Sequence, residues 1–311
     1  MVTLESLVEG PRARGAFVLR LELDGDWAIE VADESMLTVM AVLAGDCVVS
    51  TASGEATAQK GNVVVVRGPG PFSVASEPGR PPDFIIPPDQ TCVDVRGNRL
   101  VESMNRGIRS WGTTLRGEDR ILVGTYANPL EVGRLSAQLL PEVMVERTDP
   151  VTQAFADLLA DQAATDAPGQ AVVLDRLLDV LLVATVRAAG NGTSHRTDPP
   201  IDRVLDRLHN NPQSPLSVDA MARMESMSRA AFSQRFRERT GLSPGAYLRR
   251  LRLAWAADRL LAGTRTIAAI AEQAGYGSPA SFSTAFKQEH GQSPRDWRLR
   301  RGREAPSLPG A

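Results

Sequence analysis

The outward face of one predicted helix, which begins after Ser228, carries side chains that can read DNA bases. Arg229, Gln234 and Arg237 lie on this face, together with Ser233. Arginine and glutamine form paired hydrogen bonds with the edges of guanine and adenine, so these residue types suit contacts in the major groove. The segment is therefore predicted to be a DNA-reading helix.

A second predicted helix begins fifty residues later, after Ser278, and its outward face is smaller and less polar. That face carries Pro279, Ala280, Ser283, Thr284 and Lys287. Ser228 and Ser278 could cap their helices or bind phosphate, and the position at a helix start favours capping. We expect the first helix to read bases directly and the second to act more as a positioning contact.

These two helices belong to a repeat that joins residues 228–247 to residues 278–297. Each copy has two phenylalanines four residues apart, then a glycine, a Ser-Pro pair and a closing aromatic residue. The shared residues are Phe232, Phe236, Gly241, Pro244 and Tyr247 in the first copy and Phe282, Phe286, Gly291, Pro294 and Trp297 in the second. A short helix and a turn precede each copy, which predicts two helix-turn-helix units with buried phenylalanines.

The turns of the two units differ by one residue. Ser226 occupies in the first turn the position that Gly275 occupies in the second. If the position requires a positive φ, serine there costs roughly 1 kcal/mol relative to glycine, unless the first turn is of another type. A long helix from 244 to 261 is predicted to fix the units about 34 Å apart, the distance between successive major grooves.

Charge is divided unevenly along the chain, although the net charge is only −2. Residues 200–303 carry 18 basic and 9 acidic side chains, whereas residues 1–199 carry 17 and 27. A basic C-terminal half beside an acidic N-terminal half indicates a nucleic-acid-binding module joined to a different domain. No segment is long and apolar enough to span a membrane, and two cysteines indicate a reducing cytoplasm.

The N-terminal half has the pattern of a small β-barrel or sandwich. Short valine-rich strands are predicted at 16–23, 27–31, 37–42, 47–51 and 63–66, and again near 91–95 and 119–126. The seven prolines between residues 67 and 90 predict a long surface loop. Apolar residues at helical spacing predict helices at 151–164 and 171–189. A leucine stripe in the second helix, at positions 174, 177, 178, 181 and 182, could pack on the barrel or form a dimer.

The C-terminal motifs resemble those of the AraC/XylS family of bacterial transcription regulators. The resemblance rests on Met227-Ser-Arg-x-x-Phe-x-x-x-Phe236, Gly241-x-Ser-Pro-x-x-Tyr247 and Ile270-Ala-x-x-Ala-Gly-Tyr-x-Ser-x-x-Ser-Phe-x-x-x-Phe286. Residues 1–190 resemble the cupin-like effector half of one branch, through the segment 16–23, Gly61-Asn-Val-Val-Val-Val66 and Leu139-Leu-Pro141. Thr284 departs from an arginine that is common in the family, and Ser226 departs from the usual glycine.

The resemblance implies an α+β protein. We expect a cupin-like β-barrel at 1–149, a helical dimerisation segment at 150–190, a linker at 191–199, the DNA-binding domain with two helix-turn-helix units at 200–301 and a disordered tail at 302–311. The resemblance further implies a cytoplasmic, nucleoid-associated homodimer that binds promoter DNA. Such a protein is expected to contact RNA polymerase and to act as an activator.

The signal that controls such a regulator has two candidate sites in the barrel. Trp27, Phe72 and Phe84 could enclose a small-molecule effector, although they could equally be core residues. Cys47 and Cys92 could form a thiol redox switch, although a cysteine in an apolar strand is more simply a small buried side chain. The barrel has no histidine, so we expect no metal, no cofactor and no metal-dependent enzyme.

Overall fold

The structure is a computed structural model that describes residues 17–126, 131–191, 198–263 and 265–299. These residues form two compact units. One unit comprises residues 17–126 and 140–191, and the other comprises residues 131–139 and 198–299. The predicted division into a β-rich and an all-helical part is confirmed.

The β-rich unit is built from two sheets. Its strands are β1 (Phe17–Leu23), β2 (Ala28–Val31), β3 (Leu37–Ala44), β4 (Asp46–Thr51), β5 (Gly54–Gln59), β6 (Asn62–Arg67), β7 (Phe72–Ala75), β8 (Phe84–Ile86), β9 (Val93–Asp94), β10 (Asn105–Gly107), β11 (Ser110–Gly112), β12 (Asp119–Tyr126) and β13 (Val143–Arg147). The first sheet has the order β10-β11-β1-β12-β3-β6-β13, and the second has the order β5-β4-β7-β2-β8-β9.

The core of this unit lies where side chains of both sheets meet. Leu23, Trp27, Val49, Val64 and Ile121 are each at most 1% exposed and belong to one apolar cluster. Strand β12 pairs antiparallel with β1 on one side and β3 on the other, which places it in the middle of the first sheet. The valine-rich segments therefore form strands because both of their faces are covered.

The prediction of one long surface loop over residues 67–90 is wrong. Strands β7 and β8 lie within it, and β7 pairs antiparallel with both β2 and β4. The prolines flank these short strands and do not interrupt them, so the ladder hydrogen bonds remain intact. Strands β5 and β13 were not predicted, because their sequences GEATAQ and VMVER are more polar than the other strands.

Three helices complete the β-rich unit: α1 (Val101–Met104), α3 (Pro150–Ala163) and α4 (Gln170–Asn191). Four leucines of the predicted stripe, at 174, 178, 181 and 182, are 1–3% exposed, so the stripe packs within its own unit. Gly124 permits this packing, because a Cβ there would lie 2.4 Å from a methyl carbon of Leu178. Tyr126 also donates a hydrogen bond to Asp179 of α4, at 3.1 Å.

The helical unit contains α2 (Glu131–Ala137), α5 (Pro199–Asn210), α6 (Val218–Met224), α7 (Arg229–Thr240), α8 (Pro244–Ala262), α9 (Ile267–Gln273), α10 (Pro279–His290) and α11 (Pro294–Leu299). Helix α2 belongs to this unit, although the expected boundary places residues up to 149 in the barrel. Most of the predicted linker, 192–197, and the predicted tail lie outside the described residues. No helix in the described ranges is long and apolar enough to cross a membrane.

Candidate nucleic-acid interface

The two helix-turn-helix units are built alike, residue by residue. Helices α6 and α7 form the first unit, and α9 and α10 form the second. Along α7 and α10 the twelve positions follow the same sequence of exposed, half-buried and buried residues. The repeat in the sequence is therefore a repeat in structure, and it leaves an equivalent surface open on each helix.

Ser228 and Ser278 are helix caps. The hydroxyl of Ser228 accepts a hydrogen bond from the backbone N–H of Ala231 at 3.2 Å, and Ser278 accepts one from Ser281 at 3.2 Å. Both helices end at a left-handed glycine with φ 72°, Gly241 and Gly291. The shared serines and glycines thus define the ends of the helices, as capping predicts.

Both turns are Schellman motifs, so Ser226 and Gly275 occupy the same backbone position. The N–H of Met227 bonds to the carbonyl of Ala222 at 2.9 Å, and the N–H of Tyr276 bonds to that of Ala271 at 3.0 Å. Ser226 has φ 55° and Gly275 has φ 81°. The first turn therefore holds a serine in the left-handed region that glycine adopts without steric cost.

The phenylalanines hold each recognition helix on its support. Phe232, Phe236, Phe282 and Phe286 are fully buried. The Phe236 ring meets the Tyr247 ring edge-on at 5.5 Å, and the Phe286 ring meets the Trp297 ring in the same manner at 5.8 Å. The closing aromatics of the two copies therefore have the same structural role, and the predicted core is confirmed.

The predicted base-reading residues of α7 lie on its exposed side. Arg229, Gln234 and Arg237 are exposed, and Ser233 is half-buried. Arg229 pairs with Asp219 of α6 at 3.2 Å, while Gln234 donates to Glu238 one turn later at 3.0 Å. Both are exposed surface contacts of the kind that exchange readily with solvent. These side chains can exchange such partners for base edges or phosphates.

The other two arginines of α7 point back into the unit. Arg235 forms two hydrogen bonds with Asp198, at 2.6 and 2.8 Å. Arg239 donates to Asp202 at 3.0 Å, and this pair is largely buried. Of the four arginines of α7, Arg229 and Arg237 therefore face outward, whereas Arg235 and Arg239 have structural partners.

The exposed face of α10 is nearly neutral. Ala280, Thr284 and Lys287 are exposed, whereas Ser283 is half-buried. The hydroxyls of Ser283 and Thr284 donate to backbone carbonyls of Pro279 and Ala280, at 2.8 and 3.1 Å. These bonds leave methyl groups as the outward chemistry of Thr284 and Ala280, which suits contact with the methyl of thymine.

Some exposed positions on the same two faces lie outside the predicted set. Ala231 and Glu238 of α7, and Ser281 and Gln288 of α10, are exposed at matching positions. The internal repeat could have identified them, because they occupy corresponding places in the two copies. Glu238 carries a negative charge and accepts the Gln234 bond, so it orients a candidate base-reading side chain.

Helix α8 joins the two units. Its 19 residues correspond to about 28 Å of helix. Arg252 of α8 donates to the carbonyls of Pro212 and Ser214, both at 2.9 Å, and Arg250 pairs with Glu289 of α10 at 2.7 Å. The ring of Tyr247 on α8 also packs against Phe236 of α7. Because α8 contacts α7 of the first unit and α10 of the second, it can hold the two recognition helices at a fixed separation.

Comparison with known proteins identifies the family. Residues 221–300 match the family described as helix-turn-helix domain, and residues 3–189, more than half of the chain, match the one described as cupin. The chain is an AraC-family regulator with an N-terminal cupin domain. A protein of Streptomyces antibioticus named as an AraC-like transcription regulator is 26% identical to it over 96% of this chain and 98% of its own.

Two further matches each cover less than half of this AraC-family regulator. Escherichia coli RclR, named as an RCS-specific HTH-type transcriptional activator, is 36% identical over 40% of this chain and 44% of its own length. The DNA-binding domain of AdpA, solved in complex with a target DNA, is 28% identical and covers 35% of this chain and 100% of that one, with a TM-score of 0.32. The named relatives are transcription regulators and not enzymes, and this chain is a DNA-binding regulator.

The cupin domain contains both candidate signal sites within its core. Trp27 and Phe72 are 1% and 7% exposed, and half-buried Phe84 packs edge-on against Trp111 with ring centres 5.2 Å apart. Cys47 and Cys92 belong to the same apolar cluster, and both are free thiols. Burial raises the pKa of each cysteine to about 12, so neither is a thiolate at neutral pH.

The described residues contain no group of three or more His, Cys, Asp or Glu side chains that could hold a metal ion. His209 and His290 lie in the helical unit, and His195 lies outside the described residues.

Proposed function

We propose that this chain regulates transcription by inserting α7 and α10 into successive major grooves of a promoter. The matching exposure of the two helices carries this proposal, because each presents an open face on an equivalent scaffold. Arg229, Gln234 and Arg237 of α7 supply direct base reading. Ala280, Thr284 and Lys287 of α10 supply methyl contacts and a phosphate contact.

The test is DNA binding by matched arginine variants. Arg229→Ala and Arg237→Ala should each weaken binding to a selected operator by about 1–3 kcal/mol and relax preference at one base pair. Arg147→Ala, at an exposed position of β13, is the control and should bind as the wild type does. Equal binding of operator and random DNA by the wild type would refute the proposal.

We propose that the regulatory signal is a small molecule that binds in the core of the cupin domain. A small apolar effector would have to contact Trp27, Phe72 or Phe84, which line the packed centre of the barrel and its edge. Phe84 is the most accessible of the three. Phe84→Ala should therefore change the response to an effector while DNA binding without effector persists, and an unchanged response would remove Phe84 from the site.

Thiol oxidation at Cys47 and Cys92 is the second candidate signal. Both thiols lie in one apolar cluster, and RclR, a relative, is named as RCS-specific. The raised pKa of each thiol opposes rapid oxidation, because the thiolate is the reactive form. If Cys47→Ser and Cys92→Ser leave the oxidant dependence of DNA binding unchanged, this candidate fails.

We also propose that the protein is a homodimer in the cytoplasm that activates transcription together with RNA polymerase. Exposed apolar side chains on α3 and α4, namely Val151, Leu158, Val172, Val173 and Val180, support a dimer. Relatives named as activators, RclR among them, support activation. Analytical sedimentation of the wild type and of Val172→Glu tests this proposal. The wild type should sediment as a dimer and the variant as a monomer, because the added charge opposes association.

A further inference from the structure

Residues 131–139 form a segment, here called the strap, that belongs to the helical unit although the chain places it between two strands of the cupin domain. Strand β12 ends at Tyr126, and β13 begins at Val143. The strap comprises α2 and the two residues that follow it, and it packs with residues 198–299. It is therefore covalently continuous with the barrel on both sides while it contributes to the DNA-binding unit.

The first anchor of the strap is a helix cap supplied from far along the chain. The backbone N–H groups of Glu131 and Val132 donate to the two carboxylate oxygens of Asp258 on α8, at 2.8 and 3.1 Å. These are the first two residues of α2, whose N–H groups have no partner within the helix. Asp258 thus does for α2 what an N-cap aspartate does from the preceding residue.

The second anchor is a buried chain of hydrogen bonds. Ser136 is fully buried, and its hydroxyl lies 3.0 Å from the carbonyl of Val132 and 3.4 Å from Nδ1 of His209. Nε2 of His209 lies 2.7 Å from the hydroxyl of Tyr247. The chain is satisfied when Tyr247 donates to His209, His209 donates to Ser136 and Ser136 donates to Val132. It links α2 to α5 and α8.

The third anchor reaches a recognition helix. Arg239, in the last turn of α7, donates to the carbonyl of Leu139 at 3.2 Å and to Asp202 of α5 at 3.0 Å. Leu135, Ala137 and Leu139 are at most 8% exposed, so apolar packing accompanies the polar contacts. The strap is therefore held by groups on α5, α7 and α8, and α7 is the recognition helix of the first helix-turn-helix unit.

The strap holds the second unit more loosely. A cavity of about 390 Å³ lies between α2 and helices α8, α10 and α11, lined by Arg134, Gln138, Arg250, Glu289 and other residues. Across this space Glu131 lies 4.0 Å from Nδ1 of His290 at the end of α10. A displacement of the strap would consequently act on α7 before it acts on α10.

We propose that the strap transmits the state of the cupin domain to the first recognition helix. Residues 140–142 join the strap to β13, so movement of that strand pulls directly on Leu139 and its bond to Arg239. This inference rests on the proposed function, since it names the route by which a signal in the barrel alters DNA reading. It concerns α7, the helix that carries the base-reading arginines.

A double-mutant cycle tests the route without DNA. Val64→Ala removes the two methyl groups of a fully buried valine of β6, which pairs with Val145 of β13 across the sheet. Asp258→Ala removes the cap of the strap. Hydrogen exchange of backbone amides 229–240, measured by mass spectrometry on the full chain, reports the stability of α7. Asp157→Ala, an exposed carboxylate of α3, is the control for loss of charge.

We expect Val64→Ala to speed exchange in α7 about fivefold when the strap is docked, comparable to the loss of one helix cap. In the Asp258→Ala background, where α2 has lost its cap and the strap is held more weakly, Val64→Ala should change exchange by less than about twofold. Equal effects in both backgrounds, or no effect on α7 in the otherwise wild-type chain, would overturn the proposal.

A second strap variant protects the test against misfolding. Ser136→Ala removes the acceptor of the His209 bond with little change in volume, and it should show the same loss of coupling as Asp258→Ala. Because exchange is measured without DNA, failure of the strap is distinguishable from failure of the DNA-binding proposal. If Val64→Ala changes exchange in α7 only when the strap is intact, but the wild type binds no promoter DNA, the proposal for the strap is retained and the proposed function is refuted.

Discussion

His209 should make the helical unit sensitive to acid. Burial lowers the pKa of His209 from its ordinary value of 6.5 to about 4, and the ring already accepts a hydrogen bond from Tyr247 in its neutral form. In the unfolded chain the imidazole takes up a proton near pH 6.5. Between pH 6.5 and 4 the unfolded state therefore binds more protons, so stability is full above 6.5 and falls as the pH falls.

The size of the effect follows from the two pKa values. One pKa unit corresponds to 1.36 kcal/mol, so the interval from 6.5 to about 4 corresponds to about 3 kcal/mol. Asp258 acts in the opposite direction. Burial raises the pKa of its carboxyl from 3.8 to about 7, so its contribution is present below 3.8 and is lost as the pH rises through 7.

Because the two groups titrate over overlapping ranges, the assay must compare variants. The free energy of unfolding in urea is measured for the wild type and for His209→Gln at pH values from 7 down to 4. Hydrogen exchange of peptides from α5 and α8 serves as the probe of unfolding. The stability difference between the two proteins should change by about 3 kcal/mol across this range, with the wild type losing more. A difference that is independent of pH would refute the assignment of His209 as a buried neutral imidazole.

Three further results are expected. Ser226→Gly should raise the free energy of unfolding by about 1 kcal/mol because it relieves a positive φ, whereas Gly275→Ala should lower it; urea unfolding measures both. Arg229→Ala should relax base preference at one position in a binding-site selection, while Lys287→Ala should weaken binding to all sequences and reduce the salt dependence by about one phosphate contact. Cys47 should react with iodoacetamide at pH 7.5 far more slowly in the folded chain than in urea, because its pKa is raised to about 12.

The recognition helices were predictable because a repeat marks them twice. Phe232 and Phe282 lie at equivalent buried positions, and Ser228 and Ser278 cap the helices that follow. Such local rules of capping and helical spacing need no knowledge of distant residues. The valine-rich strands were predictable for the same reason, within a few residues at their ends.

The partners of the arginines were not predictable from their spacing. Arg235 and Arg239 have the same sequence character as Arg229 and Arg237, yet each binds an aspartate 37 residues away. One of these aspartates is the N-cap of α5 and the other lies in its first turn. Only the fold brings those aspartates to α7. The same limit applies to Ser226: its sequence position raised the question of a positive φ, and the hydrogen bonds of the turn answered it.

The strap shows this limit most clearly. Its sequence, EVGRLSAQL, is short and only weakly amphipathic, and its cap Asp258 lies 126 residues beyond Val132. A helix of seven residues is not stable by itself. It forms because groups from three other helices satisfy it, and nothing within the segment signals that those groups exist.

The most direct test of two-groove recognition is selection of binding sites from random DNA by the full chain. The account predicts two preferred blocks of bases whose centres lie about 10–10.5 base pairs apart, one turn of the double helix. Arg229→Ala should relax one block and leave the other intact. A single block, or two blocks at variable spacing, would contradict the claim that α8 holds α7 and α10 in successive major grooves.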